Sequence, residues 1–273
     1  MDKVDFNEEK ILDALQRSGY LFESEISKKL TDNSFFVESN AVIIDKYSRK
    51  SREIDLIAEY HNFQKTNHED RCSCTIKFVF EIKNTNSPLL LLTEYQHSPI
   101  VEAWDVFKEL LTIPSHLSYY NDKIRENLLD NDESLYTQYC SFQEKKGSKE
   151  LMALHPDNIH SGLQKIVQYC EEHVRYEHGD TDYLRHFIYL PVLLISEDLY
   201  ELKIEDSIPK IYKTEEASLI YNYHQDDEPK ACLIKIITKN GFNDFMQKML
   251  LYEKQIEEDM VALRKKQESR LKK

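Results

Sequence analysis

Hydrophobic and polar positions change period several times along the 273 residues, and each change marks an element. "FNEEKILDALQRSG" carries apolar residues at helical spacing and stops at Gly19, and "YLFESEISKKL" follows as a second helix before the turn-like "TDNS". Three strands come next: "FFVESNAVII" (35–44), "REIDLIAEY" (52–60) and "IKFVFEIKN" (76–84), rich in Val, Ile, Phe and Tyr and separated by polar loops. The loop "HNFQKTNHEDRCSC" is long for a hairpin, yet the strands it joins can still be antiparallel neighbours. "PLLLLT" (88–93) adds a short fourth strand or a hydrophobic edge.

From Ser98 to about Glu177 the pattern turns helical, in "PIVEAWDVFKELL" and "SGLQKIVQYCEEHVRY", with polar stretches around "DNDES" and "EKKGSKE" between. Val101, Trp104, Val106 and Leu110 are expected to form a helix core. "HFIYLPVLLIS" (186–196) returns as a buried strand, followed by "LYELKI", "EASLIYNYH" and "KACLIKIIT", and a long final helix begins at "GFNDFMQKML". This order predicts one domain over 1–273 with a mixed α/β (α+β) fold. Its core, 18–95 and 186–273, shares a mixed central sheet flanked by helices, and a helical insertion occupies about 98–180.

Composition narrows the class. With 41% hydrophobic and 31% charged residues, 5 Gly and 7 Pro, the chain has the make-up of an ordered globular protein. No apolar run approaches the ~18 residues that span a bilayer, and "MDKVDFNEEK" lacks the apolar stretch of a signal peptide, so a cytoplasmic protein without a membrane partner is expected. Five cysteines without paired spacing suggest reduced structural thiols rather than disulfides or a zinc cage. His97, His116, His155 and His160 likewise lack the spacing of metal ligands. A net charge of −13 argues against contact with nucleic acid over the whole surface, but "DKYSRKSR" gathers Arg49, Lys50 and Arg52 with Lys46 into one local basic cluster.

The charges inside the strands carry the chemistry. Alternate side chains of a strand share a face, so Val79, Glu81 and Lys83 point one way while Phe78, Phe80 and Ile82 point the other. The same rule sets Asp55 with Ile57, opposite Ile54, Leu56 and Ala58. Glu81 and Lys83 alone read as an ion pair at a strand end. Two carboxylates buried on neighbouring strands, however, need a shared partner, and hard oxygen ligands without clustered His or Cys favour Mg²⁺ or Mn²⁺. A lysine beside such a metal can orient or deprotonate an attacking water. On the preceding helix Phe22, Ile26 and Leu30 form one stripe; at ~100° per residue Glu23 lies about 60° from its centre and Glu25 about 100° on the other side, which favours Glu23.

"FESE", "REIDLIA" and "FVFEIK", with Asp55 and Glu81 26 positions apart, resemble the PD-(D/E)XK nuclease superfamily over residues 18–95, and are similar to its Holliday-junction resolvases and Mrr-type restriction domains. Ile54 stands where that family's nominal proline would be. The resemblance implies a restriction endonuclease-like core, Asp55, Glu81 and the Ile82 backbone carbonyl as metal ligands, Lys83 as catalytic lysine and Glu23 as an assisting ligand. The expected activity is Mg²⁺- or Mn²⁺-dependent endonucleolytic cleavage of DNA; the basic cluster with Arg49, Lys50 and Arg52 reads equally as a contact to phosphates just ahead of the site or as a solvated loop. The same chemistry would act on RNA, and a homodimer would suit paired scission of a duplex. The alternative is a nuclease-fold module that binds nucleic acid or a protein partner in a defence or repair assembly without cutting.

Overall fold

A computed structural model describes residues 7–46, 48–60, 72–95, 124, 128, 134–176, 184–225 and 228–271. Helix α1 (Glu8–Ser18) starts at Asn7, whose side chain accepts from the Lys10 N–H, and ends at Gly19. Gly19 adopts φ 91°, a left-handed conformation open to glycine, and turns the chain directly into α2 (Tyr20–Asp32). The described elements that follow are eleven strands and a helix: β1 (Phe35–Ile44), β2 (Ser51–Tyr60), β3 (Cys72–Lys83), β4 (Leu89–Glu94), β5 (Leu135–Glu144), β6 (Leu151–Leu154), then α3 (Asp157–Tyr176), β7 (Leu184–Ile195), β8 (Leu199–Glu205), β9 (Ile208–Thr214), β10 (Glu216–Gln225) and β11 (Glu228–Thr238). Helix α4 (Phe242–Leu271) closes the described chain.

All eleven strands join one mixed sheet in the order β1-β2-β3-β7-β11-β10-β5-β4-β8-β9, with β6 paired to β5. β3 lies inside it, antiparallel to β2 and parallel to β7 over its whole length. Such a strand is covered on both faces and must be apolar on both. Phe78, Phe80 and Ile82 pack with Phe22, Ile26 and Leu30 of α2 and with Phe245, Met249 and Ile256 of α4. Val79 faces the other way, into a second cluster with Ile159, Leu163 and Ile166 of α3. Helices therefore cover both faces of the sheet.

Two kinds of feature depart from the sequence expectation, unanticipated strands and the facing of one residue. The stretch read as polar linker within a helical insertion contains β5 and β6, and β5 joins the sheet between β10 and β4. "LYTQYCSFQE" buries Leu135, Tyr136 and Cys140 without strict alternation, a strand signal short and irregular enough to be lost between two helical segments. "PIVEAWDVFKELL", with Val101, Trp104, Val106 and Leu110, lies outside the described residues. Strand β9 also escapes the pattern, because as an edge strand it is almost wholly exposed and carries no buried alternation.

Ile54 is the second departure, since it packs in the α3-side cluster with Ile57 and not with Leu56 and Ala58. On the partner strand Asn40 takes φ 57°, and the β1–β2 ladder skips the Asn40–Asp55 pair. The regular alternation of faces breaks at that point.

Cys74, Cys140, Cys170 and Cys232 are buried thiols outside any disulfide. No helix among the described residues is long and apolar enough to cross a membrane.

Candidate active site

The site arises where β2 and β3 part. Their ladder runs from Glu59↔Lys77 to Leu56↔Phe80 and stops. One more step of that register would set Asp55 opposite Glu81, and here the backbones no longer bond. The Ile82 N–H donates instead to Asp55 Oδ2 at 2.7 Å. A carboxylate thus takes over the place of a ladder carbonyl, which satisfies a backbone donor and fixes the acid beside the strand end.

Glu81 is only 1% exposed. A carboxylate so deep requires compensating charge. Two lysines supply it: Lys83 Nζ contacts Glu81 Oε1, and Lys165 Nζ lies 2.6 Å from Glu81 Oε2 and 3.2 Å from Asp55 Oδ1. The Lys165 contact with Oε2 lacks the alignment of a hydrogen bond, so this buried oxygen is ion-paired but directionally unsatisfied. Burial pushes the Lys165 pKa down, but the attraction of Glu81 and Asp55 outweighs it and holds the ammonium above its ordinary value.

Lys165 comes from α3, and the sequence reading did not include it. Its signal is Gly162, one turn earlier on the same face. A Cβ on Gly162 would lie 2.5 Å from Glu81 Oε1 and 2.7 Å from Glu81 Cγ. A glycine inside a helix costs ~1 kcal/mol relative to alanine. Here its bare Cα lets α3 settle directly on Glu81 and bring Lys165 to both acids. An internal glycine three residues before a lysine is the only trace of this in the sequence, and it gains meaning only once α3 lies over β3.

Glu23 faces the same locus from α2. Burial raises its pKa above the ordinary 4.5, the negative charges of Asp55 and Glu81 raise it further, and Lys83 and Lys165 oppose them. The approach of α2 is set by Asn84, immediately after Lys83, whose side-chain amide donates to Gln16 O at 2.6 Å and Arg17 O at 3.3 Å. That contact ties the end of β3 to the corner at Gly19, one turn before Glu23. Glu25 points elsewhere and pairs with Lys239 at 2.6 Å.

The basic loop between β1 and β2 docks on α3, the helix of Lys165. The Gln168 amide donates to Ile44 O at 2.7 Å and accepts from the Lys46 N–H at 3.4 Å, and Lys46 pairs with Glu172. Gln168 lies one turn beyond Lys165, so the loop sits about 4.5 Å further along the helix axis. Arg49 and Lys50 are exposed, and Arg52 pairs with Asp45 at 3.6 Å.

His155 and His160 come together with rings 5.2 Å apart, and Tyr139 Oη is 3.2 Å from His160 Nδ1. His97 and His116 lie outside the described residues.

Among the described residues no three His, Cys, Asp or Glu side chains already converge as a metal cage. The donor set nevertheless fits a hard divalent cation. It offers Asp55, the buried Glu81 with its unaligned oxygen, and Glu23 nearby, and the position between the first two is one that an ammonium fills. Comparison of the chain with family models, with curated proteins and with solved structures finds no match in any of the three.

Proposed function

We propose that the chain is a Mg²⁺- or Mn²⁺-dependent endonuclease of the PD-(D/E)XK type, with a restriction endonuclease-like core, that hydrolyses phosphodiester bonds of DNA. The observation that carries this reading is the pairing of Asp55 with buried Glu81 at the open end of the β2–β3 ladder, with Lys83 on Glu81. Asp55, Glu81 and the Ile82 carbonyl would hold the metal, with Glu23 assisting. When bound, the metal supplies charge to polarise the scissile phosphate and to acidify a water.

The residues themselves have distinct tasks. Asp55 keeps the strand end open by holding the Ile82 N–H. Lys83, a quarter exposed, reaches from the buried acid toward solvent and is placed to orient or deprotonate the attacking water. Arg49, Lys50 and Arg52 supply local positive charge on a chain of net charge −13, suited to hold a nucleic-acid backbone near the site.

The second reading is a nuclease-fold module that binds without cutting, and Lys165 favours it, because its ammonium already contacts both acids. One experiment separates the two. Purified chain is incubated with linear, branched and single-stranded DNA, and with RNA, in Mg²⁺, Mn²⁺ or chelator, beside Glu81→Ala and Lys83→Ala. Metal-dependent cleavage that both variants lose supports the enzyme; cleavage retained in either variant defeats the assignment, and binding without cleavage favours the module.

A further inference from the structure

We infer that Lys165 is an internal cation of this site: it holds Asp55 and Glu81 in the metal-free protein and gives up that position when a divalent cation binds the same two carboxylates. The inference rests on the proposed metal-binding reading and adds to it a positioning residue that competes with the metal.

Two carboxylates placed opposite each other at a strand end repel, and one of them is almost fully buried. A positive charge between them offsets that repulsion. Lys165 supplies it, at 2.6 Å from Glu81 and 3.2 Å from Asp55. Lys83 does not share the task, since it engages the other oxygen of Glu81.

The arrangement is built to be reversible. The Lys165 side chain is 14% exposed, so a path to solvent exists, and its four-carbon stem lets the ammonium leave while the helix stays. The helix is held independently by Gly162 against Glu81 and by Leu163, Ile166 and Val167 in the core. The contact with Glu81 Oε2 is also poorly aligned, unlike the short Ile82 N–H bond to Asp55. A short backbone bond would have to be broken to free Asp55 from the strand, whereas Lys165 leaves one longer hydrogen bond, to Asp55 Oδ1 at 3.2 Å, and a point-charge contact with Glu81. Lys165 and a divalent ion cannot both lie between the acids, so whatever fraction of molecules keeps Lys165 in place lowers the apparent metal affinity in proportion.

The sign of the effect distinguishes this role from a merely structural one. A lysine that only props the site would, on removal, disorder the acids and weaken metal binding; a competitor would, on removal, strengthen it. Mn²⁺ binding to the full chain is measured by titration calorimetry for wild type, Lys165→Met and Lys165→Arg, with melting temperatures in chelator and in Mn²⁺. Lys165→Met should melt below wild type in chelator and recover more with Mn²⁺. It should also bind Mn²⁺ about tenfold more tightly, as expected if the Lys165-free state is about one molecule in ten. Lys165→Arg keeps the charge in a fork that can span both acids, folds without metal, and should bind Mn²⁺ more weakly than wild type.

Equal or weaker binding by Lys165→Met overturns the inference while leaving the metal site standing. Should that variant not fold, equal or tighter binding by Lys165→Arg overturns it. Absence of Mn²⁺ binding in wild type and both variants overturns the metal-site reading and the inference together.

Discussion

Gly162 and Glu81 occupy one another's space: a Cβ at position 162 would come within 2.5 Å of Glu81 Oε1. In an ordinary helix interior, Gly→Ala stabilises by ~1 kcal/mol. At this position the sign should reverse. Gly162→Ala must push α3 off β3 or drive Glu81 from its pairing with Lys83 and Lys165, so its melting temperature should fall below wild type. A thermal melt checks this, and an increase would show that the contact relaxes without cost.

Asp55 combines two duties that a pair of substitutions separates. Asn at this position keeps an oxygen for the Ile82 N–H but loses the charge opposite Lys165, whereas Ala loses both. An unsatisfied buried donor costs ~1–3 kcal/mol. Asp55→Ala should therefore be less stable than Asp55→Asn in urea unfolding, while both lose metal-dependent cleavage.

Glu23 makes the site costly at neutral pH. Its folded-state pKa is raised, first by burial and then by Asp55, so between the ordinary 4.5 and its folded value the native state holds more protons than the unfolded one. Stability from this group is present below that window and lost as pH rises through it. Glu23→Gln should melt higher than wild type at pH 7 in chelator, with the difference vanishing below about pH 4.5. A variant that melts lower at pH 7 would mean that Glu23 is net favourable there.

The basic loop gives an electrostatic prediction. Each phosphate contact contributes ~0.9 to the slope of log affinity against log salt. In a Lys83→Ala background, replacing Arg49, Lys50 and Arg52 by Ala should weaken DNA binding at low salt and reduce that slope by about 1–3. An unchanged slope would place the nucleic acid elsewhere.

Much of this was legible in the chain. Phe35–Ile44 as a strand, the stop at Gly19 and the alternation through Phe78–Lys83 follow from local pattern, because β3 is buried on both faces and α2 carries one apolar stripe. The pairing of Asp55 with Glu81 could be anticipated because both acids interrupt apolar strands. β5 and β9 could not, since one lies between helical segments and the other is an exposed edge.

The sequence by itself determined which side chains the strands offer: acids at 55 and 81, a lysine at 83, and a glutamate on the flank of α2. Only the tertiary structure decided what those acids meet. Lys165 stands 84 positions from Glu81 along the chain, and nothing local couples them. A long-range contact of this kind depends on where α3 lies over the sheet, and that is set by a missing side chain at Gly162 and by the apolar face of a helix more than 70 residues away from β3 in sequence. Periodicity reports the face a residue presents; the charge that will answer it is chosen by packing.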